Sequence, residues 1–483
     1  MKKNIIYFYL PLLILFNSCE DVLEEIPKDF ISPTNYYQTK EDAEGAILSV
    51  YAIANQTPNE YIIPEVHADY LYTRGSWGSM GQLDMPLDAG AYGRTNTIWD
   101  RTYVIINRAN VVLSRVPDID MDENVKRRIL AEANYLRAEA YIELVRSYGP
   151  VPLRLKETTD LNEIGIARSS EADVYQQIIA DLEIAEKDLP EDLGDNTGRA
   201  SKWAAKIRLA DVYLGLEDWV NAATKAEEVI NSNRYELVTV NEEADFYKIF
   251  ATETCSEDVF SSHYSSILES FAVMVRWMHV RNTPVYCPGV GFNVIYANTN
   301  SPLLKNWDSN DLRSQFNLYT GFYRDGVWED NPENTPLLFK KYIQDPNGVA
   351  SYSVPILRYA EPFLIYAEAA AMANGEPTPF AIERLNNIRR RAYGHDPNSP
   401  SVDDFPAGMS LQAFRDTVIR ERAYEFMLEA RRFWDLKRTN KLKQTIKEAK
   451  NLDFIDARLL HPIPQEEISN NPSLGNEDQN PGY

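Results

Sequence analysis

The chain has 483 residues, of which 72 are acidic and 49 basic, so its formal net charge is −23 at pH 7. Hydrophobic residues make up 44% and charged residues 25%, a composition typical of globular proteins that excludes a disordered chain. The negative field repels nucleic acid, which excludes nucleic-acid binding, and it favours neutral or cationic ligands. The 29 Tyr and 8 Trp suit recognition surfaces as well as a core.

The N-terminal 18 residues are predicted to be a signal peptide. Lys2 and Lys3 precede an apolar stretch at 5–16 that is too short to span a bilayer but has the length of a secretory apolar region. Asn17 and Ser18 then lead to Cys19, as in a lipobox, whose cysteine is acylated. We therefore expect lipidation at Cys19 and a tether at 19–40. An ordinary signal peptide with a nearby cysteine is the alternative.

Helical periodicity begins near residue 40 and extends, with breaks, to 231. Its strongest run is 122–148, where apolar residues recur every three or four positions before a Gly-Pro-Val-Pro break. Residues 203–231 predict a helical hairpin with the small, aromatic and small positions of a tetratricopeptide unit, namely Ala210, Tyr213 and Ala222. An amphipathic run after a loop at 69–96 predicts a further helix over 98–116.

The periodicity fades between 232 and 355. Tyr, Trp, Asn, Pro and Gly cluster there in short runs, which predicts a loop-rich insertion with a few short strands. Helical patterns return at 358–373 with 379–392, and at 411–438. In the last of these, Ile419, Ala423, Phe426, Ala430 and Phe433 are spaced as one face of a helix. Three consecutive arginines, 389–391, are interpreted as a solvated face.

Sequence signatures of catalysis are not found. The five histidines are scattered without metal-ligand spacing, and the chain has no nucleophile elbow and no Gly-rich phosphate loop. Cys255 and Cys287 are not in a C-x-x-C arrangement, so they form either one disulfide or two separate thiols. We therefore expect no catalytic residue, no metal and no cofactor.

Four segments in order resemble the SusD/RagB family of outer-membrane nutrient-binding lipoproteins. They are AEANYLRAEAYIELVRSYGPVPL (131–153), LRYAEPFLIYAEAA (357–370), RERAYEFMLEARRFWDLKR (420–438) and HPIPQEEISNNPSLGNEDQNPGY (461–483). The resemblance implies a mostly α fold with several tetratricopeptide-like hairpins and a loop-rich, partly irregular ligand-binding region. It also implies one SusD-like domain at 41–483, with a helical framework at 41–231 and 356–483 and the insertion at 232–355.

The same resemblance implies a function in binding rather than catalysis. The protein is expected to sit in the outer membrane, facing the cell exterior, held by its lipid anchor. There it would bind oligosaccharides and deliver them to a SusC-like TonB-dependent transporter. Peptide binding on the same fold, as in RagB-type members, is one alternative, and a secreted glycoside hydrolase is another.

The ligand site is predicted where the 69–96 loop meets the stretch at 277–328. Aromatic rings stack on the apolar face of a pyranose while polar groups bond its hydroxyls. Trp77 is the strongest candidate, because it lies between Gly-Ser pairs in a loop with few apolar neighbours. The candidate ligand-binding residues are Asp69, Tyr72, Arg74, Trp77, Tyr92, Trp277, Tyr286, Tyr296, Trp307, Tyr323 and Trp328.

Overall fold

The computed structural model describes residues 36–55, 62–160, 164–194, 196–250, 254–264, 274–289, 291–343 and 352–483. Cys19, the signal peptide and most of the predicted tether lie outside the described residues. Within these ranges, no helix is both long and apolar enough to cross a bilayer.

Seven helices make up the N-terminal half of the framework. They are α1 (Lys40–Ala54), α2 (Ile62–Val66), α3 (Ala89–Arg115), α4 (Glu123–Tyr148), α5 (Glu171–Asp188), α6 (Lys202–Gly215) and α7 (Trp219–Ile230). A Ser, Thr or Asp side chain accepts a backbone N–H at the start of each of the six longer ones. The predicted hairpin at 203–231 is present as α6 and α7; its likeness to a tetratricopeptide unit stays a prediction.

Six helices of the C-terminal part complete the framework. They are α12 (Ala360–Asn374), α13 (Pro379–Ala392), α14 (Leu411–Glu425), α15 (Arg432–Arg438), α16 (Leu442–Lys450) and α17 (Gln465–Asn470). Neighbours along the chain pack on each other from α3 to α7, and α7 then packs on α12, which contacts α13 and α14. The helices therefore form one continuous layered array across the insertion, and the prediction of a mostly α fold is confirmed.

The described part of the insertion contains short helices and strands. The helices are α8 (Tyr247–Phe250), α9 (Met274–Met278), α10 (Pro302–Lys305) and α11 (Leu312–Asn317). The strands of the described residues, inside and outside the insertion, are β1 (Leu71–Thr73), β2 (Val151–Pro152), β3 (Arg168–Ser169), β4 (Asp258–Tyr264), β5 (Ile295–Ala297), β6 (Leu318–Tyr319), β7 (Gly321–Arg324), β8 (Val327–Asp330), β9 (Leu338–Phe339) and β10 (Tyr352–Arg358). They pair antiparallel as β1–β5, β2–β3, β4–β10, β6–β9 and β7–β8.

Two helix predictions are wrong in extent. The helix predicted from 98 begins at Ala89, because the side chain of Asp88 accepts the N–H of Ala91 and caps a start that has little apolar periodicity. The single helix predicted over 411–438 is broken between α14 and α15, where Leu428 and Ala430 have φ of 63° and 59°. The five residues predicted to share one helix face are all buried, but on both sides of this break.

The interpretation of residues 389–391 as a solvated face is also wrong. Arg390 and Arg391 are 1% and 0% exposed. Arg390 pairs with Glu383 and Asp404, and Arg391 pairs with Glu257 and Glu425. Buried arginines are tolerated when carboxylates meet their N–H groups. Sequence spacing alone does not show the partners of Arg391, because Glu257 and Glu425 lie 134 and 34 residues away in the chain.

Candidate functional site

The structure brings the 69–96 segment and the 277–328 stretch together. Strand β1 pairs with β5, so that Tyr72 lies opposite Tyr296. Beyond the strand, the N–H of Arg74 bonds the carbonyl of Val294 at 2.9 Å, and the N–H of Val294 bonds the carbonyl of Trp277 at 2.8 Å. These backbone bonds fix the relative positions of the aromatic side chains on the two segments.

The sequence predicted that Trp77 is exposed in a loop, and this prediction is wrong. Trp77 belongs to a 3-10 helix, Gly75–Gly81, and its side chain is only 3% exposed. Its ring lies 4.7 Å from that of Trp277, which is half-buried, and the guanidinium of Arg94 covers it at 4.1 Å. The apolar neighbours that the local sequence lacks are supplied by segments distant in the chain. Trp77 therefore supports the site from beneath, and Trp277 presents the accessible ring.

A pair of tyrosines continues the surface along the two strands. Tyr72 and Tyr296 are both partly exposed, with their ring centroids 5.7 Å apart. Partial burial raises the pKa of Tyr72 above its usual value, so its hydroxyl stays a neutral hydrogen-bonding group at physiological pH. The Nζ atom of Lys450 lies 5.4 Å from the Tyr72 ring centroid.

Tyr286 packs at the far side of Tyr296, against a small apolar cluster that contains Tyr319 and Phe322. The rings of Tyr286 and Tyr319 are 4.6 Å apart. Tyr319 also bonds His279, whose other ring nitrogen donates to the carbonyl of Tyr342 at 2.9 Å. Burial lowers the pKa of His279 to about 4, so the ring is neutral and structural.

The β7–β8 hairpin carries the most exposed aromatic pair of the site. Tyr323 is 62% and Trp328 is 47% exposed, and their rings meet edge to face at 5.1 Å. The indole N–H of Trp328 bonds Asp330 at 2.8 Å, which fixes the orientation of the ring. Phe322, beside Tyr323 on β7, packs in the cluster with Tyr319, so the hairpin is continuous with the tyrosine surface.

Three predicted site residues lie elsewhere or are engaged in structure. Asp69 is 1% exposed and pairs with Arg432 at 2.7 Å. Trp307 is 9% exposed and stacks on Tyr424 at 4.4 Å. Tyr92 lies on α3, where its ring packs against that of Tyr483. These side chains hold the fold around the site and do not form its surface.

Sequence reasoning missed several residues at this site. Arg94 covers Trp77 from α3, and Lys450 reaches Tyr72 from the end of α16. Phe292 and Val285 are exposed to 50% and 49% on the same stretch. No sequence signal singles out these residues, since an isolated arginine, lysine or apolar loop residue is common on any protein surface.

Comparisons with known proteins agree with this architecture. A profile of the SusD family matches residues 306–483, and a profile described as starch-binding associating with outer membrane matches residues 31–214. SusD-like protein P2 of Formosa agariphila is 29% identical to this chain, in an alignment that covers 100% of both.

Solved structures share the fold. A SusD homolog from Bacteroides thetaiotaomicron superposes with a TM-score of 0.77 at 22% identity, over 93% of this chain and 98% of that one. Surface glycan-binding protein A from Bacteroides fluxus gives a TM-score of 0.72 at 23% identity, over 91% and 99%. With profile matches at both ends and a relative aligned over its full length, the chain belongs to the SusD/RagB family.

Proposed function

We propose that the protein is a cell-surface lipoprotein of the outer membrane that binds oligosaccharides and delivers them to a SusC-like TonB-dependent transporter, without catalysing their cleavage. The observation that carries this proposal is the aromatic surface that runs from Trp277 through Tyr72, Tyr296 and Tyr286 to the exposed Tyr323–Trp328 pair. We define these residues as the aromatic surface.

The chemistry of the aromatic surface suits a carbohydrate. A pyranose has an apolar C–H face that stacks on an aromatic ring and hydroxyls that bond tyrosine hydroxyls and nearby polar groups. By analogy with aromatic pairs, each stack contributes about 1 kcal/mol beyond burial, and each net hydrogen bond contributes about as much. After the cost of association, a few such contacts give affinities of roughly micromolar to millimolar. Weak binding suits a protein that passes its ligand on.

The relatives support the same class of ligand. The structure from Bacteroides fluxus is named a surface glycan-binding protein, and one matching profile is described as starch-binding and associating with the outer membrane. The transporter partner and the anchor at Cys19 follow from the family resemblance. The layered helices from α3 to α7 offer an extended, rigid face for such a partner.

We further propose that 41–483 is one domain, with 232–355 as an insertion that carries most of the aromatic surface. The packing of α7 on α12 supports this division, because it joins the framework on the two sides of the insertion.

The test compares ligand binding by matched variants of the purified full-length protein. Tyr323→Ala with Trp328→Ala removes the exposed pair, and Phe380→Ala removes a ring that is 68% exposed on α13 as the control. Isothermal titration against neutral and acidic oligosaccharides should show a loss of about fivefold or more in the double variant and no change in the control. Trp77→Ala is unsuitable here, because removing a buried Trp costs about 3–5 kcal/mol of stability.

Two results would contradict the proposal. Binding of peptides but of no oligosaccharide would favour the RagB-type alternative. Accumulation of shorter products from a bound oligosaccharide, measured by chromatography, would indicate a hydrolase.

A further inference from the structure

The 71–81 segment contains one arginine and is contacted by three further basic side chains, and none of the four forms an ion pair with a carboxylate of the described residues. Arg74 bonds the carbonyl of Asn293 through Nε, and Arg94 bonds the carbonyl of Ser76 at 3.1 Å through Nη2. The Nη2 atom of Arg458 bonds the carbonyl of Met80 and lies 3.2 Å from Nε2 of His67, while its Nε and Nη1 have no hydrogen-bond partner in the described structure. The Nζ atom of Lys450 likewise has none, and it lies beside the Tyr72 ring. We call Arg74, Arg94, Lys450 and Arg458 the basic cluster.

Basic side chains without a carboxylate partner are unexpected in this chain, because its 72 acidic side chains outnumber its 49 basic ones. Buried bases elsewhere are paired: Arg313 contacts the carboxylates of Asp311, Glu421 and Glu425. Within the basic cluster, Lys450 is 8% and Arg458 is 2% exposed. Burying a cation without a paired counter-charge costs free energy, and an anion that approaches the cluster would recover part of that cost.

Burial lowers the pKa of three members of the basic cluster. It lowers the pKa of Lys450 to about 7 and that of Arg458 to about 10. It also lowers the pKa of Arg94. Each shift reports that the charged form is poorly compensated where it lies.

Nearby carboxylates are already engaged or exposed. Asp69 is bound by Arg432. Asp88 caps α3 by accepting the N–H of Ala91, and both Asp88 and Asp84 are exposed to water. Because water screens exposed charges over about 8 Å at physiological ionic strength, the overall net charge of the protein does not decide the field at this surface.

We propose that the ligand of the aromatic surface is an anionic oligosaccharide, one whose sugars carry carboxylate or sulfate groups, and that Arg74 and Arg94 bind these groups. This inference rests on the proposed function and names the chemical class of its ligand. It reverses the expectation, drawn from net charge, of a neutral or cationic ligand.

The positions of the two arginines suit this role. Both are partly exposed, and both flank the Trp77–Trp277 pair at one end of the aromatic surface. A planar guanidinium offers parallel N–H groups that match the two oxygens of a carboxylate or sulfate. A sugar stacked on Trp277 or Tyr72 would therefore place an anionic substituent close to the two arginines, and the buried Arg458 adds positive charge behind them.

The experiment compares oligosaccharides of equal length that differ in charge: a neutral galacto-oligosaccharide, an oligogalacturonate and a sulfated galacto-oligosaccharide. Isothermal titration with the full-length protein should give an affinity about tenfold or more higher for one of the charged ligands at low salt. That advantage should shrink between about 50 mM and about 300 mM NaCl, because salt screens the attraction. The charged ligand that shows this advantage identifies the preferred anionic group as carboxylate or sulfate.

Matched variants assign the effect to the arginines. Arg74→Gln and Arg94→Gln should each remove most of the charged ligand's advantage, because they lower the affinity for the charged ligand by a larger factor than the affinity for the neutral one. Arg94→Lys should retain part of this advantage. Arg127→Gln removes the same charge from an exposed site on α4 and serves as the control. Melting temperatures identify any variant that fails to fold, in which case the salt dependence of the native protein decides.

The outcomes separate this inference from the proposed function. If the neutral ligand binds as tightly as both charged ones, and salt has no effect, the anionic class is wrong while oligosaccharide binding stands. If no oligosaccharide binds, the proposed function and this inference both fail.

Discussion

At the scale of single residues, Glu425 lies where four segments of the chain meet. Its carboxylate pairs with Arg358 at 2.5 Å, with Arg313 at 3.2 Å and with Arg391. Burial alone raises the pKa of this carboxyl, but the three arginines lower it by a larger amount. The pKa of Glu425 therefore lies far below its usual range. Glu425 is thus charged at neutral pH.

We expect Glu425→Gln to destabilise the protein by about 3–5 kcal/mol, because it removes a carboxylate shared by three buried arginines and breaks three buried ion pairs at once. The measurement is the urea midpoint of unfolding. Glu448→Gln, at an exposed position on α16, is the control and should leave the midpoint unchanged. An unchanged midpoint in Glu425→Gln would show that the arginines find other partners.

The buried residues His67 and His461 should make the stability of the protein depend on pH. Both are buried, with their rings 6.0 Å apart, and burial together with the charge of Arg458 lowers the pKa of each, to about 3 for His461. Below pH 6.5 the unfolded chain takes up protons that the folded chain does not, so their contribution to stability falls as the pH falls.

The measurement compares the native protein with His461→Gln between pH 7 and pH 5. As the pH falls through this range, the free energy of unfolding should decrease more steeply for the native protein than for His461→Gln. The difference in slope corresponds to one proton and is at most approximately 1.4 kcal/mol per pH unit. Taking the difference between the two proteins removes the contribution of Glu65, whose pKa burial raises to about 7 and which therefore acts in the opposite direction. Parallel pH profiles would show that His461 titrates alike in both states.

At the scale of elements, the sequence predicted most helices but not their interruptions. The apolar stripe and the Gly-Pro break placed α4 within one residue of its observed bounds, Glu123–Tyr148. The break between α14 and α15 was not predictable, because the hydroxyl of Tyr70 accepts the N–H of Leu428 and the carboxylate of Glu65 accepts that of Arg431. Side chains some 360 residues away thus replace the helical partners of these amides.

The contact between α7 and α12 depends on small residues. Ala222 and Ala226 of α7 are fully buried against Ile365 and Ala369 of α12. Ala226→Leu should therefore cost about 1–3 kcal/mol by overpacking this contact. Thr224→Leu, on the exposed face of the same helix, is the matched control. Chemical denaturation measures both, and equal stability of the two variants would mean that the helices separate without penalty.

At the scale of the whole molecule, the helical framework could be predicted and the site only in part. Local periodicity determines helices, whereas β1 pairs with β5 across more than 200 residues of sequence. The sequence indicated two aromatic-rich segments, and the structure places them side by side, while their role as a ligand site stays a prediction. It could not show that Trp77 is buried or that Arg94 and Lys450 approach, since those facts depend on the long-range pairing.

The proposed attachment to the membrane also concerns the whole molecule. We expect Cys19→Ala to move the protein from the membrane fraction to the soluble fraction, because a diacylated cysteine supplies the two or more acyl chains that stable anchoring requires. Fractionation followed by immunoblotting measures the distribution. A variant that remains in the membrane and is processed normally would contradict lipidation at Cys19.

The charges buried around Glu425 also govern how long the protein stays folded. The charged residues Glu257, Arg313, Arg358, Arg391 and Glu425 come from distant parts of the chain. We therefore expect their pairs to form late in folding, after the transition state. Interactions absent from the folding transition state act on the rate of unfolding and leave the rate of folding almost unchanged. The ion pairs should thus lengthen the lifetime of the native state. In stopped-flow experiments, Glu425→Gln should unfold faster and refold at nearly the native rate.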